Sequence, residues 1–246
     1  MDFAEVIGQH EMIERFRGLA DENHLPHAMM LCGPDGCGKM ALAISLAKYI
    51  LNKGTYKVKG ISHPDLHFTF PTIKLSKWNS EYKPVSDDFI EQWNEMLDEG
   101  PYFSLAQWME AMRAERQQAI ITVGEADELI KRLMIKSNQG GWKISIIWLP
   151  ERMNIECANK MLKLIEEPPT QTLFILVCRE PENLLETIRS RVQRFDVKPI
   201  ALEDIQQALI QKRGLEQEDA ERVARLCNGN WLTALEELNA GNENQT

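Results

Sequence analysis

The stretch HAMMLCGPDGCGKMALAISLAKYIL, residues 27–51, decides the fold of this chain. It joins an apolar segment typical of a buried strand to a helix-like segment through the glycine-rich loop GPDGCGK. Gly33, Gly36 and Gly38 allow the backbone to wrap so that its N–H groups point at phosphate oxygens, and the Lys39 side chain can reach the terminal phosphates. The N-terminus of the following helix adds affinity for anions. The sequence therefore predicts a phosphate-binding loop.

The side chains that should hold magnesium are missing beside this loop. The motif normally ends in Ser or Thr because that hydroxyl is a magnesium ligand, whereas this chain has Met40. An acid is also expected at the end of a buried strand, but the segment KISIIWLPERM has Trp148 and Leu149 there. Glu151 follows too late, and Pro150 disfavours a shift of the strand that would bring it into place. We therefore expect that the chain alone does not hydrolyse ATP and binds no magnesium tightly.

The rest of the chain repeats the alternation of strands and helices. Four more apolar runs resemble strands: DLHFTF, ISIIWL, LFILVC and VQRFDV. Helix-like segments lie between them, which predicts an α/β fold with a parallel sheet between helices. After residue 197 the pattern is purely helical, with Gly214 and Gly229 placed as helix stops. We predict a phosphate-loop domain over residues 1–197 and a small all-helical lid domain over residues 198–246.

A long segment, about residues 71–120, separates the second and third apolar runs. It contains Trp78, Trp93 and Trp108, and its piece DDFIEQWNEML places Trp93 on an apolar helical face. One interpretation of this helical insertion is that its helices pack on the domain. The other is that it forms a docking surface for a partner.

Composition limits the class of function. The formal net charge of −9 argues against a protein that grips nucleic acid through its overall field, although a local basic stripe could exist. No apolar run approaches the ~20 residues that cross a bilayer, and the acidic N-terminal sequence does not resemble a secretory signal. The five scattered cysteines fit reduced thiols. We therefore expect a cytoplasmic chain with protein partners and no membrane attachment.

Several motifs together resemble those of the bacterial DNA polymerase III clamp-loader subunits, and most of all those of the delta-prime type. They are VIGQHEMI, LPHAMMLCGPDGCGK, HPDLHF, ANKMLKLIEEPP and ILVCREPENLLETIRSR. The resemblance implies an AAA+ phosphate-loop domain followed by a helical lid. It also implies a subunit of the DNA polymerase III holoenzyme, which joins the other clamp-loader subunits in a hetero-pentameric ring. That ring uses ATP to load a sliding clamp onto primed DNA.

The resemblance further assigns a role to Arg191. In that family the arginine of an SRC motif projects into the ATP site of a neighbouring subunit, and the matching residues here are Ser190, Arg191 and Val192. An arginine of this kind stabilises transition-state charge and can be worth roughly 10³–10⁵ in turnover. Arg191 is thus expected to be an arginine finger that acts in trans. The alternative is an ordinary solvated arginine beside Arg189 and Arg194.

Other positions depart from the family pattern. A sensor position that often carries Thr or Asn reads Cys178 and Arg179, and the position of the lid arginine matches Leu232. Since the loop glycines and Lys39 remain, ATP, ADP, phosphate or sulfate could still bind weakly, but we expect no cofactor to be required. The chain therefore resembles a non-hydrolysing stator subunit.

Three alternatives stay open. An ATP-hydrolysing motor subunit of the gamma/tau type would need a magnesium ligand in place of Met40 and an acid in place of Trp148. A nucleotide kinase would need an arginine-rich phosphate lid. The third alternative is an inactive AAA+ scaffold outside replication.

The resemblance also leads to two expected absences. Many relatives have a four-cysteine zinc module before the HPD stretch, but this chain has no cysteine between Cys37 and Cys157, so we expect no zinc. The alternating His63, Asp65 and His67 are more typical of structure than of a metal site. Relatives continue into a helical collar domain. Since this sequence ends at Thr246, we expect either a fragment or a chain in which the collar is absent.

Overall fold

A parallel sheet forms the centre of the molecule. The computed structural model describes residues 2–53, 62–114, 116–135 and 141–243. Within these ranges the sheet has five strands in the spatial order β2-β3-β4-β1-β5, and every neighbouring pair is parallel. The strands are β1 Ala28–Cys32, β2 Leu66–Thr69, β3 Lys143–Trp148, β4 Thr172–Cys178 and β5 Gln193–Asp196. Each strand coincides with one of the predicted apolar runs, so the predicted parallel sheet is confirmed.

Helices cover both faces of this sheet. Those that come before β5 are α1 His10–Asp21, α2 Lys39–Leu51, α3 Ile90–Glu99, α4 Leu105–Ala111, α5 Val123–Met134, α6 Ile155–Glu166 and α7 Glu186–Arg189. Alternate residues of β1 enter different cores: Met29 and Leu31 pack with α1 to α4, while Met30 and Cys32 pack with α5 to α7. None of the helices in the described part of the chain is both long and apolar enough to cross a bilayer.

Three helices follow the sheet, α8 Leu202–Arg213, α9 Gln217–Leu226 and α10 Trp231–Glu243, and they share a third apolar core. Gly214 ends α8 in the left-handed conformation, with φ 68°, as the sequence predicts. The last helix continues beyond the run WLTALEEL to Glu243, because an established helix gains one hydrogen bond for each residue added. The division into two domains near Lys198 stays a prediction.

The tryptophans of the insertion belong to the core of the sheet domain. Trp93 and Trp108 are completely buried, and their rings meet edge to face with centroids 5.3 Å apart. The Phe70 ring stacks on Trp93 at 4.2 Å, and the Trp108 indole N–H donates to the Pro71 carbonyl oxygen at 2.8 Å. These contacts agree with the packing interpretation of α3 and α4, and leave these two indoles no surface to offer a partner.

A buried carboxylate ties the insertion to the sheet. Glu125, in the first turn of α5, accepts a hydrogen bond from the Thr69 hydroxyl at 3.2 Å and another from the Ser86 backbone N–H at 2.6 Å. Burial raises the pKa of Glu125 above its ordinary value, and the hydrogen bonds oppose that shift only in part. Ionisation of Glu125 therefore lowers the free energy of unfolding.

We predict that Glu125→Gln reduces the dependence of stability on pH. A carboxyl group whose folded pKa is raised contributes its full stability below the unfolded pKa, and that contribution is lost as the pH rises through the folded pKa. The glutamine can still accept from Ser86 and hydrogen-bond with Thr69, so the stability of the parent should fall relative to the variant as the pH rises above about 4.5. Urea unfolding between pH 4 and 8 measures this difference, with the exposed Glu128→Gln as control. A parent that gains stability relative to Glu125→Gln as pH rises would contradict the prediction.

Candidate functional site

The predicted phosphate loop joins β1 to α2, and its backbone requires glycine at three positions. Gly36 and Gly38 have φ of 71° and 101°, which lie in the left-handed region that residues with a Cβ atom rarely adopt. At Gly33 a Cβ atom would lie 2.5 Å from the Val197 carbonyl oxygen, which is closer than atoms can approach. The backbone conformation and the close packing of the loop therefore both require glycine. The groups that surround the loop show what its backbone approaches.

Lys39 folds back onto the loop. Its side-chain amine donates to the carbonyl oxygens of Gly33 and of Pro34, the latter at 3.1 Å, and the residue is only 7% exposed. A lysine that serves a nucleotide would direct these donors to phosphate oxygens. Here the loop's own carbonyls satisfy the ammonium group.

Aromatic side chains occupy the space above the loop. We call Tyr102, Phe103 and Trp148 the aromatic plug. The Tyr102 hydroxyl accepts a hydrogen bond from the Ile7 backbone N–H at 2.9 Å, and it would lie 3.4 Å from a Cβ atom placed on Gly38. Burial raises the pKa of Tyr102 to about 12, so this hydroxyl is neutral at physiological pH. The plug therefore lies directly over the phosphate loop.

The cavity that remains between the loop and the plug is very small. Its volume is about 20 Å³, and Lys39, Met40 and all three plug residues line it. A buried water needs roughly 10–15 Å³, whereas pockets for small-molecule ligands are commonly about 300–1,000 Å³. In this conformation the loop can hold about one water molecule and has no room for a nucleoside triphosphate.

Trp148 stands at the end of β3, where an acid was expected. Its ring lies 5.0 Å from Phe103 and 5.5 Å from Trp93, measured between centroids, and the residue is 5% exposed. Leu149 and Met40 are equally buried. The positions that should supply magnesium ligands are thus part of an apolar core.

Glu151 does not replace the missing acid. Leu149 turns the chain with φ 57°, and Pro150 begins a short 3₁₀ turn. The Glu151 carboxylate then accepts hydrogen bonds from the backbone N–H groups of Arg179 at 2.9 Å and Glu180 at 3.2 Å. The Cys178 thiol also donates to it at 3.1 Å. Glu151 therefore caps the segment after β4.

The helices after the sheet contact the loop directly. The Trp231 backbone N–H, at the start of α10, donates to the Gly36 carbonyl oxygen at 3.0 Å. Gln9 donates from one amide nitrogen to the carbonyl oxygens of Cys37 at 2.9 Å and Lys198 at 2.7 Å. Leu232, where the family pattern has an arginine, is buried and apolar. These contacts join the phosphate loop to the start of α10 and to the segment that precedes α8.

Sequence reasoning missed the plug residues Tyr102 and Phe103. They follow Gly100 and Pro101, which break the chain after α3, and they belong to no phosphate-loop motif. A helix stop followed by two aromatic residues was the only signal, and nothing in their spacing indicates which part of the sheet they reach.

Arg191 lies away from the loop cavity, on the surface beyond α7. In the stretch ENLLETIRS, Leu184 is extended and only Glu186–Arg189 is α-helical. Ile188 is buried and anchors this turn. The Arg191 side chain is 40% exposed, with its Nε atom 2.6 Å from a carboxylate oxygen of Glu166. Its exposure leaves it open to a neighbouring molecule.

The described residues hold no group of three potential metal ligands close together. His63 accepts a hydrogen bond from the Asp65 backbone N–H at 3.0 Å, and burial lowers the pKa of His67 to about 4. All five cysteines are buried free thiols. Residues 54–61, within the stretch where relatives have a zinc module, lie outside the described residues.

Comparison with known sequences gives concordant matches. A profile of the family described as DNA polymerase III, delta subunit, matches residues 8–201. Over 79 residues the chain is 42% identical to the DNA polymerase III subunit delta' of Yersinia pestis, covering 31% of this chain and 23% of that protein. Over 217 residues it is 25% identical to the delta' subunit of Bacillus subtilis, covering 84% and 51%. The gamma/tau subunit of Mycobacterium bovis is 25% identical over 247 residues, covering 97% and 37%. The chain spans about half or less of the length of these relatives.

Solved structures share the fold. A DNA polymerase III gamma subunit-related protein from Thermotoga maritima superposes with a TM-score of 0.55 at 19% identity, covering 90% of this chain and 56% of that one. The RuvB Holliday junction branch migration motor from the same organism gives 0.57 at 16% identity, covering 96% and 62%. At these identities the likeness shows the fold alone, and it confirms the predicted AAA+ α/β architecture with a helical C-terminal part.

We predict that removing one plug residue opens the loop to nucleotide. Tyr102→Ala should create measurable binding of a fluorescent ATP analogue that disappears with Lys39→Ala, at a cost of about 3 kcal/mol in stability for the lost buried ring. Tyr102→Phe is the matched control, because it keeps the ring and loses only the partner of the Ile7 N–H, at about 1–3 kcal/mol. Equal nucleotide affinity of the parent and Tyr102→Ala would show that the plug does not close the loop.

Proposed function

The chain belongs to the family described as DNA polymerase III, delta subunit, and we propose that it is a non-hydrolysing stator subunit of the bacterial clamp loader. In this role it joins the other clamp-loader subunits in a hetero-pentameric ring in the cytoplasm. ATP bound elsewhere in the ring drives the loading of the sliding clamp onto primed DNA. The chain itself requires no ATP, zinc or magnesium.

One observation carries this proposal: the chain fills its own phosphate loop. Hydrolysis needs a magnesium ion held by a hydroxyl and an acid, and a water positioned for attack. Met40 and Trp148 offer neither ligand, and the aromatic plug leaves a cavity of about 20 Å³. The amides of the loop and the α2 N-terminus still attract anions, but we expect phosphate, sulfate or nucleotide to enter this cavity only when the plug is displaced.

Arg191 is the residue that we propose to act for a neighbour. A guanidinium keeps its charge at any physiological pH and can meet two phosphate oxygens at once. Placed at the terminal phosphate of a nucleotide bound by the adjacent subunit, it would offset the charge that develops as the bond breaks. The 40% exposure of the Arg191 side chain and its position on a surface turn that the buried Ile188 anchors support this role.

A motor role is the second candidate. It is favoured by the gamma/tau subunit of Mycobacterium bovis, whose match covers 97% of this chain at an identity equal to that of the Bacillus subtilis delta' subunit. The two candidates differ in whether ATP turnover depends on this chain's own Lys39.

We predict that the purified chain releases no phosphate from saturating ATP and magnesium. The reason is the loss of both magnesium ligands, so Lys39→Ala should leave the background rate unchanged. A phosphate-release assay on the two proteins measures this. If the parent hydrolyses ATP and Lys39→Ala abolishes this activity, the result favours the motor role and contradicts the stator proposal.

We predict that Arg191→Ala slows hydrolysis in a reconstituted clamp loader without preventing its assembly. The expected loss is roughly 10³–10⁵-fold at the one site that Arg191 completes, diluted in the total rate by the other sites of the ring. Single-turnover hydrolysis and size-exclusion chromatography provide the two measurements. Arg194→Ala is the matched control, an arginine of the same segment that pairs with Asp196 at 2.8 Å. An assembled Arg191→Ala complex as fast as the control would reduce Arg191 to a surface charge.

A further inference from the structure

We infer that Glu166 is the positioning residue for Arg191, holding its guanidinium ready for the phosphate of a neighbouring subunit. This inference rests on the proposed function of Arg191. It also gives a role to the LIEEPP motif, which the sequence singles out and which no part of the phosphate loop uses. We base this assignment on the hydrogen bonds that hold the Nε and Nη1 side of the Arg191 guanidinium.

The contacts of Arg191 fix one side of its guanidinium. The Nε atom lies 2.6 Å from the Glu166 carboxylate, the distance of a charge-assisted hydrogen bond. The Nη1 atom donates to the Thr187 carbonyl oxygen at 2.8 Å and to the Ser190 hydroxyl at 3.2 Å. These partners belong to two segments, the end of α6 and the turn that carries Arg191, and together they orient the planar group on its Nε and Nη1 side.

Glu166 is itself held firmly. It is the last residue of α6, a helix whose Leu164 and Ile165 are buried in the core beneath the sheet. Glu167 caps the helix, and Pro168 and Pro169 come next; because proline lacks an N–H and restricts the residue before it, the helix cannot continue past Glu167. The Glu-Glu-Pro-Pro sequence thereby sets a carboxylate at a fixed point of the surface, 39% exposed, beside the turn that carries Arg191.

Preorientation matters because an arginine finger acts only when its donors meet the developing charge. A free arginine samples many rotamers, and a misplacement of about 1 Å can cost roughly 100-fold in rate. A carboxylate near an incoming phosphate also repels it, which opposes the benefit of orientation. Removal of Glu166 should slow hydrolysis if its main effect is to orient Arg191. It should accelerate hydrolysis if its main effect is to repel the phosphate.

The test uses single-turnover ATP hydrolysis in the reconstituted clamp loader, with nucleotide affinity measured separately. Glu166→Ala should slow hydrolysis roughly 10- to 100-fold at the site that Arg191 completes and leave nucleotide affinity unchanged. Glu166→Gln should recover part of the rate, because its amide oxygen still accepts from Nε. In the Arg191→Ala background, Glu166→Ala should have no further effect. Glu167→Ala is the matched control, since it removes the neighbouring carboxylate of the same motif.

The outcomes separate this inference from the proposed function. If Arg191→Ala slows hydrolysis and Glu166→Ala does not, or accelerates it, Arg191 keeps its role and the positioning role of Glu166 is overturned. The inference also fails if the two losses are additive, or if Glu167→Ala matches Glu166→Ala. If Arg191→Ala matches the parent, the proposed function of Arg191 fails first. Melting temperatures within about 2 °C of the parent are expected for both glutamate variants, because an exposed ion pair contributes little to stability.

Discussion

The indole of Trp148 fills the end of β3, and most of the site depends on that one placement. A buried tryptophan needs aromatic or aliphatic partners on every side, and here Phe103 and Trp93 of the insertion supply them at centroid distances of 5.0 Å and 5.5 Å. An acid at the same position would need hydrogen-bond donors, water or a metal ion as partners. The exchange of acid for indole therefore brings the insertion over the phosphate loop, where Tyr102 then covers Gly38.

Filling of the loop changes how the loop and the C-terminal helices are held together. In a nucleotide-dependent protein of this fold, bound ligand would bridge them. In this chain the Trp231 N–H reaches the Gly36 carbonyl at 3.0 Å, and Gln9 joins the Cys37 and Lys198 carbonyls. These bonds between protein groups fix the position of the loop relative to the segment that leads into the C-terminal helices and to the start of α10. Such a fixed geometry suits a subunit that presents Arg191 to a neighbour.

The sequence predicted the sheet well because its evidence is local. β1, β3 and β4 are buried along their whole length and lie in mostly apolar runs, as burial on both faces of a parallel sheet favours, whereas β5 at the sheet edge has one buried residue. The absence of the usual magnesium ligands could also be predicted from the sequence, because Met40 and Trp148 occupy positions within recognisable motifs. The plug could not be predicted, because Tyr102 belongs to the insertion, about residues 71–120, which contains no recognisable motif. Its position over the loop depends on how that whole insertion packs. The pairing of Arg191 with Glu166 could not be predicted either, because it joins the turn after α7 to the end of α6, which are distant in the sequence.

We propose that this chain completes a neighbour's site while the aromatic plug fills its own. A cryo-electron microscopy structure of the reconstituted clamp loader with a non-hydrolysable ATP analogue and magnesium would show both sites at once. We expect the Arg191 guanidinium to lie within hydrogen-bond distance of the terminal phosphate on the adjacent subunit. We also expect Tyr102 to remain over a loop without nucleotide. Analogue and magnesium bound at Lys39, with Tyr102 displaced and Arg191 turned to solvent, would contradict the account.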